Sequence, residues 1–254
     1  MASSNGSFVW YELMTSDLAG AERFYAAVAG WDIIDADIPG IAYRIARVGD
    51  RPVAGLMGFP PDTGPGPLTW FGYIGVGDVD TETERLKQAG GGVHRPPTDI
   101  PGVGRFAVVT DPQGAVFMLF RGAGEPPPEL APKTPGTFGW RELFTSDAES
   151  AFAFYEGLFG WEKSYAHDMG SFGVYQTFSV GGEWTGGMMR STEAPRPYWR
   201  YYINVDDIDA ASRRVKEAGG TVTGGPHEVP GGSWVLMGTD PQGAAFHLTG
   251  PRLA

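Results

Sequence analysis

Two glutamates in this chain stand two residues after a tryptophan, Glu12 after Trp10 and Glu142 after Trp140. Alternate residues of a β-strand share a face, so each carboxylate is expected beside an indole. A glutamate held against an apolar ring in a closed site has its charged form desolvated. Its pKa then rises toward the range useful for general acid or base work. The same carboxylate can instead pair with an arginine or with backbone donors and hold sheets together. There are four histidines (His94, His167, His227, His247) and no cysteine, so thiolate ligands, disulfides and a cysteine nucleophile are excluded. His247 lies on a strand that closes a hairpin, where it can be a proton carrier beside Glu12 or Glu142, a residual metal ligand or a hydrogen-bonded core histidine.

These residues belong to a duplicated frame. The segment FVWYELMTSDLAGAERFYAAVAGW, starting at Phe8, returns as FGWRELFTSDAESAFAFYEGLFGW, starting at Phe138, a shift of 130 residues. Thr110-Asp-Pro-Gln-Gly-Ala115 returns as Thr239-Asp-Pro-Gln-Gly-Ala244. A period this long marks duplicated domains, because solenoid repeats run roughly 20 to 50 residues. The expected division is a first domain over 1–121, a linker over 122–137 containing five prolines, and a second domain over 138–254.

Each half predicts the same order of elements. A strand at Phe8–Leu13 leads into a helix with an apolar stripe at Ala21, Phe24, Tyr25 and Val28, which makes Tyr25 a core residue. Asp17 or Ser16 can cap that helix, and in the second copy Ser146 with Glu149 reads as a capping box. Strands follow near Tyr43–Val48 and Val53–Phe59. The pattern then restarts with a strand at Trp70–Val76, a helix at Val79–Ala89 and two strands joined by Asp111-Pro-Gln-Gly114 as a turn. The glycine pairs and triplets after helices read as caps and turns, because none has a phosphate-loop context.

Composition narrows the function classes. The 254 residues are 42% hydrophobic and 13% aromatic, with a net charge of −11. That is a folded globular chain, and its acidity disfavours nucleic acid and anionic membranes as partners. No segment is apolar enough to span a bilayer and no signal peptide is evident, so a cytoplasmic protein, monomer or homodimer, is expected.

The strand-helix-strand-strand order, with FY inside the first helix, GW at its end and DPQG near the end of each half, resembles the vicinal oxygen chelate superfamily. This group includes glyoxalases, extradiol dioxygenases and bleomycin resistance proteins, and the two-half layout is similar to duplicated actinobacterial glyoxalase-like proteins. The resemblance implies an α+β fold of two tandem domains, each of two paired βαβββ units with cupped mixed sheets. It also implies metal ligands at set positions, which here carry Trp10, Phe71 and Met118, with one near Gly55, and in the second half Trp140, Arg200 and His247, with one near Gly187. Only His247 is a plausible ligand, so no metal or other cofactor is expected.

The resemblance then places Glu12, Glu142 and His247 as candidate catalytic residues. Trp10, Trp140, Tyr43, Tyr175, Met118, Phe71, Arg200 and Trp234 are candidate lining for a small, apolar or aromatic ligand, joined by Trp70, Trp199 and Tyr202. Arg105 and Arg200 can receive an anionic group, or can be spent in surface salt bridges. The functional expectation is a metal-independent small-molecule site, either of the binding and resistance type or in a lyase or isomerase with a glutamate base. The alternatives are a metal-dependent glyoxalase-type lyase acting on a thiol-conjugated 2-oxoaldehyde, and a scaffold without catalysis.

Overall fold

A computed structural model describes residues 5–38, 40–59, 64, 66–124, 130–191 and 196–253. Residues 125–129 of the expected linker lie outside the described residues. The first half runs β1 (Phe8–Thr15), α1 (Leu18–Ala29), β2 (Asp32–Asp35), β3 (Tyr43–Val48) and β4 (Arg51–Gly58). It continues with β5 (Thr69–Gly75), α2 (Val79–Gln88), β6 (Gly92–Ile100), β7 (Gly104–Thr110) and β8 (Val116–Gly122). The second half repeats this as β9 (Phe138–Thr145), α3 (Ala148–Phe159), β10 (Glu162–Asp168), β11 (Val174–Val180) and β12 (Glu183–Arg190). Its last module is β13 (Tyr198–Asn204), α4 (Ile208–Glu217), β14 (Thr221–Val229), β15 (Ser233–Thr239) and β16 (Ala245–Gly250).

The fold is therefore α+β, two tandem domains of paired βαβββ modules. Each half carries one eight-stranded mixed sheet, ordered β2-β3-β4-β1-β5-β8-β7-β6 in the first and β10-β11-β12-β9-β13-β16-β15-β14 in the second. The outermost strands are the ones least visible in the sequence. β6 contains Pro96-Pro97, which cannot donate to a ladder, and it sits at a sheet edge with two register shifts, where proline is tolerated.

An aspartate caps each α-helix: Asp17, Asp78, Asp147 and Asp207 accept from backbone N–H groups of the first turn. The expected Ser146–Glu149 capping box does not form. Asp147 caps α3 by accepting from Ser150 N at 3.1 Å. Ser146 Oγ is bound to Gln113 at 3.2 Å, and Glu149 pairs with Lys163 at 2.6 Å. A carboxylate in the right place outcompetes a hydroxyl already engaged elsewhere. No helix among the described residues is long and apolar enough to cross a membrane.

The compact units do not follow the sequence halves. One combines Phe71–Pro127 with Arg141–Arg200 and the residues up to Val9, and the other combines Trp10–Trp70 with Pro128–Trp140 and Tyr201–Ala254. Each unit therefore joins one module of the first half to one module of the second. The shared motifs make these joins. In one unit Tyr155 Oη donates to Asp111 Oδ2 at 3.2 Å and accepts from Trp199 Nε1 at 3.2 Å. In the other, Tyr25 Oη donates to Asp240 Oδ2 at 3.1 Å and accepts from Trp70 Nε1 at 3.1 Å.

The other oxygen of Asp111 accepts the backbone N–H groups of Gln113, Gly114 and Ala115 at 2.8–2.9 Å, which shapes the turn. Trp31 and Trp161, the GW tryptophans, donate to Gly136 O at 2.7 Å and Gly6 O at 2.8 Å. Gly136 and Gly6 both have positive φ, and a Cβ on either would press on its neighbours, Val48 Cγ2 in one case and Phe159 O in the other, at 2.7 Å. FY, GW and DPQG thus assemble the core. Trp70 and Trp199 belong to this assembly, with side chains turned to the helices.

Burial raises the Asp111 and Asp240 carboxyls above the ordinary aspartate value, and the N–H donors around them oppose that shift. A folded-state pKa above the unfolded one means that the folded protein binds these protons more tightly. Stability from these two groups therefore grows as pH falls through the raised value toward the unfolded pKa near 3.8, and is smallest at neutral pH. Urea unfolding of the wild type and Asp111→Asn between pH 7.5 and 4.5 should show the wild type gaining relative to the variant as pH drops. A flat difference would show that Asp111 has an ordinary pKa. Tyr155→Phe, which strips Asp111 and Trp199 of their shared partner, should cost about 1–3 kcal/mol at pH 7.

Candidate functional site

Leu13, Leu56 and Ala46 are fully buried on the side of the first-half sheet that α1 covers. Alternation then puts Trp10 and Glu12 of β1, Tyr43 of β3 and Gly55 of β4 together on the opposite face. Glu12 is registered beside Gly55 in the parallel β1–β4 pair. Tyr43 is diagonal to Gly55 across the β3–β4 pair, since Met57 is its direct partner and Ile45 is opposite Gly55. A Cβ at Gly55 would collide with the Tyr43 hydroxyl. The missing side chain is what lets the phenol lie across β4 and reach β1.

There Trp10 Nε1 donates to Tyr43 Oη at 3.1 Å, and the Tyr43 hydroxyl hydrogen bonds the Glu12 side chain. Burial pushes the Tyr43 phenol well above its ordinary pKa; the Glu12 charge adds to this, and the Trp10 N–H works against it. Tyr43 is therefore a protonated hydrogen-bond donor throughout the physiological range. Glu12 is itself buried, at 8% exposure.

The second half repeats the construction. Glu142 is registered beside Gly187, Tyr175 is diagonal to that glycine, and a Cβ there would collide with the Tyr175 ring. Tyr175 Oη donates to Glu142 Oε1 at 2.9 Å. Here Glu142, Tyr175 and Trp140 are all half-buried, so this carboxylate is more open than Glu12.

The remaining candidates fall into separate groups. Phe71 is half-buried on β5; Met118, 6% exposed, faces Tyr73 on β5 and Val108 on β7. At the position matching Phe71, Arg200 lays its guanidinium 4.0 Å from the Phe144 ring centroid and donates to Tyr198 Oη at 2.7 Å. Phe144 and Tyr198 stack on one another with centroids 5.3 Å apart, so the cation rests on a preformed aromatic base. His247 is buried beside Met237 and Tyr202, whose ring centroid lies 5.1 Å away. Trp234 is covered by Arg252 at 4.5 Å, and Arg105 is spent in ion pairs with Asp80 and Asp99 at 2.7–2.8 Å. What the sequence concealed at Gly55 and Gly187 is the tyrosine that lies across each, because nothing local to a glycine reports which ring crosses it.

The positions that the resemblance assigns to metal ligands thus carry two tryptophans, two glycines, Phe71, Met118, Arg200 and His247. At both glycine positions a tyrosine takes the space. Among the described residues no group of three or more His, Asp or Glu side chains converges as a metal site. This donor set does not supply the three or so protein ligands that a zinc site uses.

The glycine-tyrosine fit has a direct test. Gly55→Ala should destabilise by about 1–3 kcal/mol through overpacking and the broken Trp10–Tyr43–Glu12 chain. In a double-mutant cycle with Tyr43→Ala, most of the Gly55→Ala cost should vanish. Additive costs in urea unfolding would show that Tyr43 does not depend on the glycine.

A family model of the glyoxalase/bleomycin resistance protein/dioxygenase superfamily matches residues 7–119 and again 137–248. CFP32 of Mycobacterium tuberculosis (strain CDC 1551 / Oshkosh), provisionally named a glyoxylase, is 34% identical over 95% of this chain and 94% of its own length. DauV of Streptomyces sp. (strain C5), named an anthracycline biosynthesis protein, is 33% identical over 98% of this chain and 94% of its own. Among solved structures, the Mn(II)-bound glyoxalase from Novosphingobium aromaticivorans has a TM-score of 0.68 at 17% identity, covering 97% of this chain and 82% of that one. The 2,3-dioxygenase LapB from Pseudomonas sp. KL28 has a TM-score of 0.66 at 12% identity, covering 96% and 91%. At these identities the two structures are likenesses of fold.

Proposed function

Since the chain belongs to the glyoxalase/bleomycin resistance protein/dioxygenase superfamily, we propose that it binds an aromatic small molecule at its tyrosine-glutamate pairs. It then acts on that molecule as a metal-independent lyase or isomerase. The observation that carries this reading is the Tyr175–Glu142 hydrogen bond at 2.9 Å on a half-buried strand face. It stands beside Gly187, one of the positions that the resemblance assigns to metal ligands. The phenol holds the carboxylate in one orientation, and Glu142 takes a proton from an acidic C–H or O–H of the ligand. Arg200, fixed on the Phe144 ring in the same unit, supplies positive charge for an anionic group of the ligand. Glu12, more deeply buried, is the weaker candidate for turnover.

Two sequence relatives are named for anthracycline biosynthesis, which favours polycyclic aromatic compounds over small aldehydes as ligands. The test uses aryl ketones with acidic α C–H groups in deuterated water, read by NMR for solvent deuterium incorporation. Glu142→Gln should lower exchange by about 10²-fold or more. Undiminished exchange in the variant would remove Glu142 as the base. Elemental analysis of natively purified protein should find no stoichiometric divalent metal, and chelator should leave activity unchanged; the opposite pair of results would overturn the metal-free reading.

A further inference from the structure

The strands flanking Tyr175 carry aromatic side chains in the open. Trp184 is 60% exposed and Tyr165 57%, large values for rings of this size. They are not scattered. His167 stands directly opposite Tyr175 in the β10–β11 pair, with ring centroids 6.5 Å apart. Tyr165, two residues before His167, lies 6.3 Å from it, and Trp184 lies 5.0 Å from Tyr165 in an edge-to-face arrangement. Trp184 is registered opposite Ser179, which shares the face of Tyr175 by alternation. The four rings form one continuous strip, from the phenol that binds Glu142 on β11, through His167 and Tyr165 on the edge strand β10, to Trp184 on β12.

Among the described residues the first half has no such strip. There Pro52 stands opposite Arg47, as Trp184 stands opposite Ser179. The strand matching β10 is only the four residues Asp32–Asp35, and its two aspartates pair with Arg47 and Arg44. Those charges blunt that edge as an exposed sheet edge ordinarily requires. The second half instead leaves Tyr165 on its edge strand and Trp184 on β12 exposed and in contact with one another. Contiguous exposed apolar surface of this kind marks a binding site.

We infer that the second-half site takes an extended, planar, multi-ring aromatic ligand with a hydroxyl at one end, which reaches Glu142 while its outer rings lie on Tyr165 and Trp184. This rests on the proposed Tyr175–Glu142 site and specifies its ligand. Hydrogen bonding at the inner end sets orientation, and ring contact along the strip sets length preference. The first half, with ion pairs in place of the strip, does not share that preference.

The test is titration calorimetry of the full chain with 2-hydroxyanthraquinone, a three-ring probe, and 2-naphthol, a two-ring probe. The wild type should bind the larger probe at least tenfold more tightly. Trp184→Ala and Tyr165→Ala, both surface changes, should each weaken the three-ring probe about tenfold and leave the two-ring probe within threefold. Glu142→Gln should weaken both. If the strip variants change neither probe while Glu142→Gln weakens both, the strip inference fails and the site reading stands. If neither probe binds the wild type, both fail. If Trp184→Ala instead abolishes self-association in sedimentation and leaves binding intact, the strip is a contact between copies of this chain and the inference is overturned.

Discussion

A fully buried tyrosine hydroxyl must find hydrogen-bond partners, and in both units its acceptor is on the other half of the chain. Tyr25 meets Asp240 and Tyr155 meets Asp111, each also receiving an indole N–H. The aspartates are bound in turn by the backbone of their own turns. Losing any member strands the others away from water, which is where the energetic leverage of such networks lies. Each compact unit therefore depends on a helix from one copy and a hairpin turn from the other. Neither half can satisfy its own tyrosine with its own DPQG turn in this arrangement. Two copies of the repeat are accordingly needed to complete each unit as it stands.

The same economy of space governs the candidate site. At Gly55 on β4 and Gly187 on β12 there is only a hydrogen, and the neighbouring strand's tyrosine fills the volume. Each glycine thereby admits a phenol that hydrogen bonds the adjacent glutamate. This explains why Glu12 and Glu142 recur with Tyr43 and Tyr175 as sets. A carboxylate pointing into partly apolar surroundings needs a donor, and the phenol provides it at fixed distance.

The two copies have diverged around this shared arrangement. Gln113 reaches across its unit to bind Thr145, Ser146 and Asp147, gripping the start of α3. Its counterpart Gln242 lies against Gly20, although the same Thr15-Ser16-Asp17 sequence opens α1. Phe71 corresponds to Arg200, and a short, charge-paired β2 corresponds to a longer β10 with exposed rings. The scaffold is held constant by buried interactions, while accessibility and surface chemistry differ.

The repeat, the helices with their apolar stripes, the central strands and the pairing of Trp with Glu were legible in the chain, because each is a local periodicity or a near-identical copy. Edge strands were harder to read: β6 with its adjacent prolines and β10 with its mixed polarity carry weak alternation, being half free of packing demands. The capping box at Ser146 looked right locally and was displaced by Gln113, a residue 33 positions away. By itself, then, the sequence determined two copies of a βαβββ pair and the residues able to do chemistry. Tertiary structure decided that each unit mixes the copies, that glycines open the way for Tyr43 and Tyr175, and that Glu142 stands more open than Glu12. These depend on which distant side chain occupies a given volume, and a residue's own neighbours in sequence carry no record of that.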